Sequence, residues 1–152
     1  MKKIAIIYYS RGGNNKKMAK AVQKGALAAG AKVNLKKVAD ATVKDILNCD
    51  AVIFGSPNYF SYMAGALKEL LEQAFIDLAD EEVTKPYAVF SCGGSEGGKP
   101  AITSIEKICN AFGGSFGKFS FKKAAEGISA TEKPSSEILE KCKELGRKMA
   151  SL

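Results

Sequence analysis

Residues 4–9, Ile-Ala-Ile-Ile-Tyr-Tyr, constrain the chain most. Six apolar residues without alternation suit a strand buried on both faces, and such strands belong to parallel sheets covered by helices on either side. The next six residues, Ser10, Arg11, Gly12, Gly13, Asn14 and Asn15, are polar or glycine. A helical pattern follows at once, with Met18 and Val22 on one face. A buried strand, a polar Gly-containing loop and a helix together form the layout that aims backbone N–H groups at an anion.

The remaining chain repeats the alternation. Residues 31–38 alternate apolar with polar and predict a strand near a sheet edge. Thr42 and Asp45 predict a capping box on a short helix. Residues 51–54 are apolar throughout and end at Gly55, a third strand. Leu67, Leu70, Leu71, Ala74 and Leu78 share one face of the following helix. Residues 87–91 predict a fourth strand. Ile102, Ile105, Cys109 and Phe112 mark another helix, closed by Gly113 and Gly114. Residues 115–121 predict a short fifth strand and 122–133 an irregular polar link. Pro134, Ser135 and Ser136 open a final helix with Ile138, Cys142, Leu145 and Met149 inside. Five strands alternating with helices predict an α/β three-layer sandwich with a parallel sheet, and residues 1–152 read as a single domain.

Composition narrows the function classes. No apolar run approaches the about 20 residues of a membrane span, and residues 1–9 are too short for a signal peptide. The chain reads as soluble and cytoplasmic. It has four cysteines, no Cys-x-x-Cys pair and no histidine, so neither a zinc centre nor a Cys–His nucleophile is expected and no metal is assigned. Net charge is +7, but the lysines are spread along the chain and only Arg11 and Arg147 are arginines. No base-reading motif accompanies them, so no nucleic-acid partner is expected. The charge reads either as a solvated basic surface or as attraction for acidic partners and phosphorylated ligands.

In an open parallel sheet, ligands bind beyond the carboxyl ends of the strands, where the winding reverses. Three strands here end in unusual loops. The first, residues 10–15, suits a phosphate: Gly12 and Gly13 admit close approach, Ser10, Asn14 and Asn15 offer side-chain donors, and Arg11 a charged one. It matches neither a Walker A loop nor Gly-x-Gly-x-x-Gly. The second loop holds Pro57, Asn58, Tyr59 and Phe60, suited to stacking on a planar heteroaromatic ring. The third follows Ser91 and Cys92 and places four glycines in residues 93–98, Gly93 and Gly94 first.

These three loops carry a resemblance. The chain resembles the flavodoxin-like FMN proteins, nearest the branch of the tryptophan-repressor-binding-protein-type NAD(P)H:quinone oxidoreductases and NADPH-dependent FMN reductases. SRGGNNKKMA (residues 10–19) is similar to the family's phosphate loop, GSPNYFSYMAG (residues 55–65) to its flavin-ring loop, and FSCGGSEGG (residues 90–98) to its third loop. The resemblance implies a flavodoxin-like sheet of strand order 2-1-3-4-5 and bound FMN. It assigns Ser10, Gly12, Gly13, Asn14 and Asn15 to the phosphate, and Pro57, Asn58, Tyr59 and Phe60 to the isoalloxazine. Ser91, Cys92, Gly93 and Gly94 line the ring's other side. It also implies a homodimer or homotetramer. The departures are Arg11, Gly12 and Asn15 in place of phosphate-loop threonines, a missing insertion, and the absence of the histidine and tryptophan that quinone reductases of that branch set near the flavin.

No side chain is assigned a catalytic role, because bound flavin would carry the chemistry. The leading expectation is an FMN oxidoreductase taking electrons from NAD(P)H to a small acceptor. The alternative is a carrier between redox proteins, and behind it a non-catalytic binding module. Carriers of this fold are acidic, by resemblance, so the positive charge favours an enzyme or an acidic partner. A receiver domain is excluded: Tyr9, Ser10, Gly55 and Ser56 stand where it needs acidic residues.

Overall fold

Strand β1 (Lys3–Tyr8) runs through the middle of a parallel sheet, between β2 (Lys32–Lys37) and β3 (Ala51–Gly55). The computed structural model describes residues 1–152. Beyond β3 lie β4 (Thr84–Gly93) and then β5 (Ser120–Lys123), giving the order β2-β1-β3-β4-β5 that the resemblance implies. Ile4, Ile6 and Tyr8 of β1 pack on one side, under α1 (Asn14–Ala28) and α5 (Ser136–Ala150). Ala5 and Ile7 face α2 (Val43–Leu47), α3 (Gly65–Asp77) and α4 (Lys99–Asn110). Strand residues pointing alternately into two helical layers explain why β1 carries no charged position after Lys3. Edge strand β2 has no buried residue, in keeping with its alternating sequence.

The fifth strand differs from expectation. Gly113 and Gly114 adopt φ of 87° and 63°, and Gly114–Phe116 coils into a 3₁₀ turn, so the strand begins only at Ser120. The predicted link is itself partly strand: β6 (Ile128–Thr131) pairs in parallel with Phe90–Gly93, beyond the stretch of β4 taken by β5. One sheet position is thus filled by two short strands. The sequence conceals β6 because Ile128 and Ala130 alternate with Ser129 and Thr131 over four residues only, and of these only Ala130 is fully buried, too short a pattern to stand out from a polar link.

Local chemistry fixes the helix ends. Asp45 accepts from Thr42 N at 2.8 Å, completing the predicted capping box. Ser135 Oγ accepts from Ile138 N at 3.2 Å at the start of α5. Buried Lys85 donates from Nζ to the Leu47 carbonyl at 3.0 Å and to the Cys49 carbonyl, setting its ammonium at the carboxyl end of α2. All four cysteines are buried thiols, and burial pushes their pKa upward, Cys49 to about 11 and Cys142 to about 12.

Candidate functional site

The loop after β1 turns on two residues. Ser10 Oγ accepts from Gly13 N at 3.1 Å, and Gly13 takes φ of 98°, a left-handed conformation that glycine adopts without penalty. Helix α1 starts there with no side-chain cap and no acid in its first turn. The backbone N–H groups of Arg11, Gly12, Asn14 and Asn15 donate to no group of the chain. A helix start with unpaired N–H groups carries positive partial charge and favours an anion.

The two asparagine side chains are engaged within the protein. Asn14 Nδ2 donates to the Glu132 carbonyl at 2.5 Å. Asn15 is buried; its Oδ1 accepts from Cys92 N at 2.8 Å and its Nδ2 donates to Cys92 O at 3.2 Å. Expected as side-chain donors to a ligand, both instead tie the first loop to the third and to the end of β6. What they present to the cleft is backbone.

The second loop is closed by Ser56, whose Oγ accepts from Ala64 N and donates to Pro57 O, each at 2.8 Å. Inside it, Tyr59 and Tyr62 exchange both backbone hydrogen bonds, at 2.9 and 3.0 Å. Phe60 and Ser61 between them have φ of 55° and 60°. This is the two-residue turn with left-handed torsions at both central positions, here without glycine. Tyr59 sets its ring edge-on to Tyr9, centroids 6.0 Å apart. Phe60 is fully exposed at the tip.

The third loop folds back on itself. A Cβ on Gly93 would lie 2.0 Å from the Gly97 carbonyl oxygen, so only glycine fits. Asn58 Nδ2 reaches across to Gly97 O at 2.9 Å, while Asn58 Oδ1 is buried without a partner.

The loops enclose an open cleft of about 220 Å³ at the carboxyl ends of the strands. Ser10, Arg11, Gly12, Asn14 and Asn15 form one end, Pro57, Asn58 and Tyr59 a side, and Cys92, Gly93 and Gly94 the other side. Three predicted residues stand apart. Gly13 shapes the turn, Phe60 projects into solvent, and Ser91 is wholly buried in β4 with its Oγ unpaired. Sequence reasoning missed Glu132, which completes the lining. It follows the strand that the sequence concealed, and no motif marks it. A larger cavity, about 420 Å³, lies by the starts of β1 and β2 and the end of α2. None of the three loops reaches it, so the smaller cleft is the better candidate.

The cleft's chemistry suits a phosphate-bearing ring ligand. The unpaired N–H groups of the first loop and the cationic Arg11 suit an anion at one end. The Tyr59 ring and the glycine backbone of the third loop suit a flat group at the other. No cluster of three or more metal-ligating side chains occurs.

Comparison with known proteins identifies the family of the fold. A family model described as Flavodoxin matches residues 6–146. The flavodoxin of Aquifex aeolicus is 35% identical over 161 aligned positions, covering 99% of this chain and 86% of that protein. NAD(P)H dehydrogenase (quinone) 3 of Rhizobium meliloti is 34% identical, covering 69% of this chain; the chain spans only 59% of that enzyme's length. A flavodoxin structure from the domain Archaea superposes with a TM-score of 0.79 at 21% identity, covering 98% of this chain and 96% of that one. The rubredoxin oxygen:oxidoreductase of Desulfovibrio gigas superposes with a TM-score of 0.80 at 19% identity, and 35% of its chain is covered. With its sheet order, its three converging loops and a family match over nearly its whole length, the chain belongs to the flavodoxin family.

Proposed function

We propose that the chain holds FMN in the three-loop cleft and serves as an electron carrier between redox proteins. Bound FMN supplies one- and two-electron redox chemistry through its ring. The chain's part is to hold and orient. The unpaired N–H groups of Arg11, Gly12, Asn14 and Asn15, with the Arg11 side chain, bind the phosphate. Tyr59 and the backbone of Gly93 and Gly94 flank the ring.

The observation that carries the carrier assignment is the exposed aromatic turn beside the cleft. Tyr59, Phe60 and Tyr62 are 38%, 103% and 39% exposed. They leave the cleft edge open to a docking surface. Outer-sphere transfer needs such access and no side-chain acid or base. Among the cleft residues, Cys92 has its thiol pKa raised by burial, which leaves it a poor proton donor at neutral pH.

The second assignment, an enzyme oxidising NAD(P)H, is favoured by the match to the R. meliloti quinone dehydrogenase over 69% of the chain. Anaerobic stopped-flow mixing of the FMN-loaded protein with NADH or NADPH separates the two. A carrier keeps its flavin absorbance for seconds in the absence of a reductase and loses it when a flavodoxin reductase is added. Bleaching by NADH or NADPH alone at catalytic rates would make it an enzyme. Failure to quench flavin fluorescence on titration with FMN would refute both.

A further inference from the structure

The turn from Tyr59 to Tyr62 is held by less than its conformation demands. Phe60 and Ser61 both sit in the left-handed region, a costly arrangement for two residues with side chains. Phe60 packs against nothing. Such a turn persists only where its surroundings over-determine it. Besides the Tyr59–Tyr62 backbone pair and the edge-on contact of Tyr59 with Tyr9, the turn is hydrogen-bonded to one further group, the Glu96 carboxylate of the third loop. Ser61 Oγ donates to Glu96, with both carboxylate oxygens at 3.3 Å, and makes no other hydrogen bond. Asn58 Nδ2 lies 3.3 Å from Glu96 Oε2 while it also donates to Gly97 O.

We infer that Glu96 is a positioning residue: it clamps the second loop to the third across the ring end of the cleft and sets how long the ligand stays. Two donors from one loop converge on one carboxylate of the other, and hydrogen bonds to a charged acceptor are the stronger kind. The clamp bridges the two walls between which the ring would lie, so releasing it lets them part. Glu96 itself does not line the cleft; it acts through Asn58 and Ser61. This inference rests on the FMN assignment for its ligand, but the clamp itself is a property of the protein alone.

Two measurements test it. In the first, FMN dissociation is followed by fluorescence recovery for wild type, Glu96→Ala, Glu96→Gln, Ser61→Ala and the double variant Glu96→Ala/Ser61→Ala. Glu96→Ala should release FMN about tenfold faster, the scale of a hydrogen bond to a charged group. Glu96→Gln keeps one carbonyl acceptor and should stay within about threefold of wild type. The double variant should be no faster than the faster single one. The strain of alanine at position 61 enters both legs of the cycle and cancels. Unchanged or slower release from Glu96→Ala, Glu96→Gln as fast as Glu96→Ala, or additive single effects would each overturn the clamp. In the second measurement, hydrogen exchange without FMN should show faster exchange at the Tyr59 and Tyr62 amides in Glu96→Ala than in wild type. Equal exchange would overturn the clamp. If wild type binds no FMN, the functional assignment fails and the exchange measurement alone decides the clamp.

Discussion

Asn15 and Cys92 lie 77 residues apart and pair as neighbouring strand residues do: the Asn15 amide accepts from Cys92 N at 2.8 Å and donates to Cys92 O at 3.2 Å. Both residues are buried. The side chain at the start of α1 thereby satisfies both backbone groups at the point where β4 becomes the third loop. The relationship ties the anion-binding end of the cleft to its far wall. Asn15→Ala would orphan a buried N–H and a buried C=O, each costing about 1–3 kcal/mol. The variant should lose about 2–4 kcal/mol of unfolding free energy in urea titrations, on the same scale. An unchanged midpoint and slope would show that water or a local shift replaces the pair.

Arg11 is the one cationic side chain lining the cleft, and it is exposed. If its guanidinium meets the phosphate, Arg11→Ala should weaken FMN binding by about 1–3 kcal/mol, the range for hydrogen bonds to charged groups. The loss should shrink as salt is raised, because the contact is solvent-exposed and screened. Riboflavin lacks the phosphate, and its affinity should not change. Equal losses for FMN and riboflavin would mean that the substitution disturbs the loop rather than a phosphate contact.

How far the sequence announced this architecture depends on where burial leaves a pattern. The continuous apolar runs of β1 and β3 and the stripes of α3, α4 and α5 were legible because both faces of a strand, or one face of a helix, must be hydrophobic. β6 was not, since the alternation of Ile128 and Ala130 with Ser129 and Thr131 lasts only four residues and buries only Ala130 fully. The three loops were identifiable by composition, and eleven of the fourteen proposed site residues line the cleft, set against the lining Ser10, Arg11, Gly12, Asn14, Asn15, Pro57, Asn58, Tyr59, Cys92, Gly93 and Gly94. The roles of side chains within the loops were much less legible. An asparagine in a polar loop serves a ligand or the fold equally well, and only its partners at Cys92 and Glu132 decide. Glu96 and Glu132 gave no signal because their roles depend on loops that meet only in the folded chain.

The contact of α1 with α5 depends on two glycines facing opposite helices. A Cβ on Gly25 would lie 1.9 Å from the Lys143 carbonyl oxygen, and one on Gly146 would lie 2.0 Å from that of Val22. Alanine gains about 1 kcal/mol over glycine in a helix interior, but here the obstacle is backbone that cannot swing aside. Overpacking of this kind costs about 1–3 kcal/mol or more. Gly146→Ala should therefore lower the thermal midpoint despite its better helix propensity. At about 2–4 °C per kcal/mol for a chain of this size, calorimetry resolves the effect. A raised midpoint would mean that the helices separate at little cost.

Asp45 provides the pH test. Burial raises the pKa of its carboxyl, but the Thr42 N–H at 2.8 Å, Lys36 Nζ at 3.0 Å and Asn34 Nδ2 at 2.9 Å outweigh it and hold the pKa below the ordinary value. A carboxyl depressed in the folded state adds stability above its unfolded pKa of about 3.9, and that stability disappears as pH falls through the lower folded value. Asp45→Asn keeps an acceptor for Thr42 N but loses the charge facing Lys36. It should unfold at lower urea than wild type at pH 6, with the gap narrowing as pH falls below about 4 and the carboxylate protonates. The Lys36 contact is partly exposed, so 1 M salt should narrow the gap at pH 6 as well. A gap that stays constant from pH 6 to pH 2 would assign the whole effect to hydrogen-bond geometry and none to the carboxylate's charge.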